Sequence, residues 1–244
     1  WMEKDGMNVS VDQHFNLIGT IPGTDPDAKP IVVGSHIDTV PTGGKYDGVL
    51  GVLGGMEAAK RLKGTTKHPI QVVAFYDEED SMSGSIGFTQ SKSVYDIKAF
   101  LELHVEQGPV LDKRGADIGV VEGIVGQRRC KFVITGQANH AGTTPMDMRD
   151  DALVKASELV SYVYNRASIY DGLVATVGKL DVSPNLFSII PGRVDLTLQI
   201  RDLDTSNIIR FASDVASKFD LIYETDYEST PALCDRKIMD MISD

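Results

Sequence analysis

The side chains best able to do chemistry in this chain stand just after apolar runs. His36 closes PIVVGSH, and Asp38 and Asp47 follow it in GSHIDTVPTGGKYDG, a stretch that also carries four glycines and a proline. Glu78 and Glu79 end PIQVVAFYDEE, and His104 stands in FLELHVEQGP after another apolar run. Imidazole and carboxylate together suit Zn²⁺ or Mn²⁺. Asp38, two residues from His36, falls on the same side of an extended chain, where its carboxylate can accept the free ring N–H and fix the tautomer. Adjacent Glu78 and Glu79 point to opposite sides of a persisting strand, which favours one binding metal and the other taking a proton from the attacking water. Singly, each residue has an ordinary reading: a hydrogen-bonded histidine, a solvated Glu pair, an Asp-Gly turn. Together, on successive strand ends, they predict one rim.

The elements that must position them follow from periodicity. PIVVGSH reads as a strand, VLGVLGGMEAAKRL as a helix with Val52, Met56 and Ala59 on one face, and PIQVVAF as a second strand. Strand, helix, strand in that order predicts a crossover unit in a mainly parallel sheet, whose sites form at the carboxyl ends of the strands. From about residue 118 the pattern changes. CKFVIT, VATVGKLDV and RVDLTLQIR read as half-buried antiparallel strands; in the last, Val194, Leu196, Leu198 and Ile200 face one way, and Asp195, Thr197, Gln199 and Arg201 the other. Two helices are expected, one after Asp150 and Asp151 with Ala152, Ala156, Leu159 and Val163 inward, and one capped by Asp204 and Thr205 with Ile208, Ala212, Val215 and Phe219 inward. This predicts a smaller domain of two helices on a four-stranded sheet, inserted into the first.

With 244 residues, 42% of them hydrophobic, the chain can bury a sizeable core in two domains. A formal net charge of -11 without a long basic run argues against nucleic acid or anionic membrane as the partner. No window reaches the roughly 18 apolar residues of a membrane span, and no signal-like start is visible, so the cytoplasm is the default. Cys130 and Cys234 make no disulfide framework, although they allow a single bridge. The chain opens at Trp1 and stops inside the helical pattern CDRKIMDMISD, so it is expected to be part of a longer protein.

GSHIDTVPTGGKYDGVLGVLGG, DEED, ELHVEQGP, GIVGQRR, GQANHAGTTPMDMRDDAL and IIPGRVDLTLQIR occur in this order across most of the chain. Together they resemble the N-carbamoyl-L-amino-acid hydrolase and allantoate amidohydrolase family, a branch of the dinuclear metallohydrolases that include aminoacylase-type and carboxypeptidase-G-type enzymes. ELHVEQGP and NHAGTTP separate this branch from the peptidases. The resemblance implies an α/β fold: a mixed-sheet hydrolase-like catalytic domain with an inserted α+β, ferredoxin-like lid and dimerisation domain. The expected boundaries are 1–117 for the catalytic part, 118–226 for the lid, and 227–244 for the return to the catalytic domain. It also implies two divalent ions (Zn, Mn, Co or Ni), with His36 on the first, Asp47 bridging, Glu79 on the second, His104 completing the first, and Glu78 as general base. Water between the ions would attack the ureido or amide carbon, and Glu78 would pass its proton to the leaving nitrogen.

The same resemblance assigns His140 to polarising the scissile carbonyl, across a dimer interface, Gln107 to contacting substrate and Arg201 to gripping the substrate carboxylate. There are departures. Ser188 in FSIIPG stands where the family usually has Asn, so that substrate contact is altered; Gln199 stands where Asp is common, and Phe15 replaces a usual Gly. No histidine follows His140, whereas the family takes a final ligand of the second metal from a C-terminal motif, so that site is expected to be incomplete here. The reading is a homodimeric hydrolase of a small ureido or carbamoyl substrate, with no nucleic-acid or membrane partner. The alternatives are an aminoacylase or dipeptidase on the same scaffold, and a non-catalytic binding or scaffold fragment.

Overall fold

The structure is a computed structural model that describes residues 1–91 and 96–243. It divides into two units, Trp1–Asp117 and Ile118–Asp244.

In the first unit five strands, β1 (Asn8–Val11), β2 (Leu17–Ile21), β3 (Ile31–His36), β4 (Ile70–Phe75) and β5 (Ala99–Leu101), form one sheet in the order β1-β2-β4-β3-β5. β3 runs parallel to β4 and β5, whereas β2 is antiparallel to β4 and β1 to β2, so the sheet is mixed. The apolar runs are continuous because both faces are covered. Helix α1 (Val49–Arg61) lays Val52, Met56 and Ala59 against Ile21, Ile70, Val72 and Ala74 on one face. On the other, α2 (Ser83–Ser91) adds Phe88 to Ile18, Val32, Val73 and Phe75. A fully buried valine such as Val32 or Val72 contributes about 1.5–3 kcal/mol. Since β3, β4 and β5 run the same way, their carboxyl ends deliver residues 36, 76–79 and 102–107 to one edge. A short helix, α3 (Val110–Arg114), follows.

In the second unit the strands β6 (Gly123–Ile124), β7 (Gly126–Thr135), β8 (Val174–Ser183), β9 (Arg193–Asp202), β10 (Tyr223–Ser229) and β11 (Ala232–Leu233) alternate with helices α4 (Ala152–Ala167) and α5 (Thr205–Lys218). The four long strands pair antiparallel in the order β10-β7-β9-β8, and the chain order β7-α4-β8-β9-α5-β10 is that of a split βαβ arrangement. The alternation in β9 is exact at the core: Val194, Leu196, Leu198 and Ile200 are buried with Leu159, Val163, Phe211 and Val215 from the two helices. Asp151 and Asp204 cap α4 and α5 by accepting the Leu153 and Ser206 amides at 2.9 and 2.8 Å.

The boundary expected after residue 226 falls inside β10, whose pairing with β7 runs on to Ser229, and β11 then pairs with β6. The backbone ladder carries this sheet past the point where the motif pattern ends. Residues 236–243 form α6 (Arg236–Ser243), with no buried side chain, and Asp244 of the expected helix lies outside the described residues. Both cysteines are free; Cys130 is buried, and burial pushes its thiol up to about 11. Among the described residues no helix is long and apolar enough to cross a membrane.

Candidate metal centre

His36, the last residue of β3, is 3% exposed. Its ring lies over Gly48, where an added Cβ would come within about 2.5 Å of the imidazole and where φ is +65°. Glycine there serves both the close approach and the left-handed turn into α1. The His36 Nδ1 lies 2.9 Å from the Asp38 main-chain oxygen, so the ring donates there and the Nε2 lone pair is left free. This differs from the expected role of the Asp38 carboxylate, which is 3.7 Å from Nδ1 and instead accepts the Glu79 amide at 3.0 Å. The loop turns back on itself, and the main chain reaches the ring before the side chain does.

His104 is built the same way. Its Nδ1 meets the Val105 carbonyl at 2.8 Å, and its Nε2 points at Asp47 Oδ1, 3.3 Å away. His36 Nε2 lies 4.0 Å from that oxygen. Asp47 Oδ1 is buried and has no hydrogen-bond partner, while Oδ2 accepts from Gln107 Nε2 at 2.8 Å. Two imidazole lone pairs and a carboxylate oxygen that no N–H serves are a poor arrangement for a protein by itself and a good one for a divalent cation. The ligand atoms of His36, Asp47 and His104 all lie within 4.8 Å of one another, as do those of His36, Glu78 and Glu79. The residues present therefore fit a metal.

Glu78 and Glu79 do not diverge as a persisting strand would make them. β4 ends at Phe75, Asp77 takes φ +53°, and both carboxylates return to His36, with Glu78 Oε2 3.7 Å from its Nε2. Burial pushes the Glu78 carboxyl above its ordinary range; His36 pulls it down, and the charges of Glu79, Asp38 and Glu102 push it up. Burial works against Asp38 as well, but the amides of Glu79, Asp38 and Glu78 hold it below the usual value.

Residues outside the sequence expectation hold this rim. Asn16, fully buried, accepts the Tyr76 amide at 3.0 Å and donates to Asp12 and to the Gly84 carbonyl, both at 2.9 Å, and so ties the loop after β4 to the β1–β2 turn. Phe15 beside it has φ +65°, which accounts for the usual glycine at that place. Glu102 accepts from the Ser35 hydroxyl at 2.6 Å, and Glu106 accepts the Val110 and Leu111 amides. Their crowding in ELHVEQGP was the visible signal.

The remaining expected residues lie in the second unit. His140 Nδ1 accepts the Gly142 amide at 3.0 Å, leaving Nε2–H as an exposed donor, and Arg149 ties down the same loop through the Ala141 and Thr144 carbonyls. The Ser188 carbonyl accepts the Ala141 amide, so Ser188 and His140 are neighbours. Arg201 is exposed on β9 between Gln127 and Val174, with no ion pair among the described residues. It stands at the opposite end of the strand from Arg193, beside which Gly192 receives the Gly136 amide on the way to His140. Eight residues of strand put roughly 25 Å between the two ends, at ~3.3 Å per residue.

The chain is similar to several known proteins. The chain is 36% identical to the N-carbamoyl-L-amino acid amidohydrolase of Geobacillus stearothermophilus, over 83% of this chain and 60% of that protein. It is 35% identical to the allantoate amidohydrolase of Bacillus subtilis (strain 168), over 88% of this chain and 63% of the relative. It thus spans about 60% of the length of these curated relatives. A hydantoinase/carbamoylase family amidase from Burkholderia ambifaria superposes with a TM-score of 0.90 at 28% identity, over 100% of this chain and 71% of that one. Residues 32–243 match the model of peptidase family M20/M25/M40, and the chain belongs to that family.

Proposed function

We propose that this chain is the metal-binding and lid portion of an amidohydrolase that cleaves the ureido C–N bond of an N-carbamoyl-L-amino acid, a related ureido acid or allantoate. The observation that carries the reading is the convergence of two Nδ1-anchored imidazoles on the Asp47 oxygen that has no hydrogen bond. The names of the relatives support the substrate class.

In this reading His36, Asp47 and His104 would hold one divalent ion, and Asp47 and Glu79 would contribute to the site of a second. Bound there, such ions polarise water and the scissile carbonyl and stabilise the charge that develops on its oxygen. Glu78 takes the proton of the attacking water and returns it to the leaving nitrogen, a task suited to a carboxylate that burial makes more basic. His140 Nε2–H donates to the substrate carbonyl oxygen, and Arg201 pairs with its carboxylate. The placement of Arg201 at one end of β9, with the His140 loop leaving the sheet at the other, supports a homodimer in which each substrate draws these two residues from different protomers. The second unit then acts as the inserted lid and dimerisation domain. The full-length protein of which this chain is a portion, incubated with Mn²⁺, is assayed for amino acid released from N-carbamoyl-L-amino acids and ammonia released from allantoate. Turnover of at least one, lost in E78Q with metal content kept, is the expected result; no turnover of any ureido substrate by the loaded protein rejects the reading.

A further inference from the structure

The segment ELHVEQGP fixes itself at two points around Gln107. Upstream, Glu102 holds the Ser35 hydroxyl at 2.6 Å and His104 spends Nδ1 on Val105. Downstream, Glu106 takes the Val110 and Leu111 amides at 2.7 and 2.9 Å and so pins the start of α3. Between them the left-handed turn falls on Gln107, at φ +56°, although Gly108 stands next to it and has no positive φ. A long side chain is uncommon in that conformation, and glycine takes it freely. The backbone therefore turns where a particular side chain must be aimed.

That side chain donates its amide to Asp47 Oδ2 at 2.8 Å. A carboxylate has two equivalent oxygens, and rotation exchanges them. With the amide on Oδ2, it is Oδ1 that stays turned toward His104 Nε2 at 3.3 Å and His36 Nε2 at 4.0 Å.

We propose that Gln107 is a positioning residue for the Asp47 carboxylate: it fixes which oxygen faces the two imidazoles, and thereby sets the affinity of the His36–Asp47–His104 site for its cation. This rests on the metallohydrolase reading above and assigns Gln107 a task independent of any contact with substrate. A hydrogen-bonding partner of a metal-binding carboxylate is expected to change affinity about 10- to 100-fold when removed. The test is titration of chelator-stripped protein with Mn²⁺, read by calorimetry and by the electron paramagnetic resonance of the free ion, on the wild type, Q107M and Q107G. Q107M keeps side-chain length without the donor, and Q107G removes the donor while relieving the left-handed backbone. Both are expected to bind Mn²⁺ about 10- to 100-fold more weakly, with the Q107G melting temperature equal to or above the wild type's. Wild-type affinity in both variants, or in Q107G alone, overturns the proposal, the latter by showing that the backbone turn and not the amide matters. A wild type that binds no Mn²⁺ removes the metallohydrolase reading itself, and the inference with it.

Discussion

The rings of His36 and His104 lie 5.7 Å apart, centroid to centroid, and each directs Nε2 at the same oxygen of Asp47. One residue ends a strand and the other sits in a loop 68 positions later, yet both anchor Nδ1 on a carbonyl close in sequence. Removing either imidazole leaves too few donors for a tight site. H104A is expected to lose most of its bound metal, measured by elemental analysis, while its metal-free unfolding free energy changes by about 0.5 kcal/mol or less, because His104 is an exposed loop residue.

Gly48 carries the His36 ring and a left-handed turn together. G48A is expected to cost about 1–3 kcal/mol from the backbone alone, since φ 65° with ψ -50° is a conformation that residues with a Cβ rarely adopt. It should also weaken metal binding, because the new Cβ displaces the imidazole. Denaturant unfolding and metal titration, run side by side, separate the two effects; unchanged metal affinity would contradict this account of the ring's seat.

Asp214 accepts from Arg166 at 2.8 Å and from the Tyr170 hydroxyl at 3.1 Å. The Arg166 hydrogen bond holds its carboxyl below the ordinary value of 3.8, with burial opposing and Tyr170 assisting. A depressed folded-state value means stabilisation that is complete above the ordinary carboxylate range and fades as pH falls through the lowered one. D214N should therefore melt lower than the wild type at neutral pH, and the two curves should converge in acid. A difference that persists unchanged to low pH would assign the effect to packing.

Arg201 lies at one end of β9, and His140 lies in the loop that leaves β7 beside Arg193, at the other end. If each substrate takes them from different protomers, mixing inactive H140A with inactive R201A and allowing subunits to exchange creates one intact site in every mixed dimer. Recovery of roughly a quarter of wild-type activity is expected from random pairing. No recovery after demonstrated exchange would mean that one protomer supplies both.

Core truncation in the second unit follows ordinary packing. Phe211, fully buried among Leu159, Leu198 and Val215, should cost about 3–5 kcal/mol as F211A, read as a fall in the unfolding midpoint of that unit.

Which residues are inside, and which stand at the carboxyl ends of strands, is written in local sequence pattern. The period-two alternation of β9, the helical spacing of Val52, Met56 and Ala59, and the polar residues closing each apolar run are local patterns, and local patterns record which face is dry. Hence His36, Asp47, Glu78, Glu79 and His104 were legible as one rim. Which atoms meet depends on how distant segments pack. Asp38 serves His36 through its main chain because of how the loop turns, and Glu78 and Glu79 share one side because Asp77 breaks the strand. β10 runs to Ser229 because β7 offers it a partner that far. Gln107 reaches Asp47 across 60 positions, and Asn16 reaches Tyr76 across as many. Such pairings depend on sheet order and register, which are set by the packing of distant segments and leave no periodic trace along the chain.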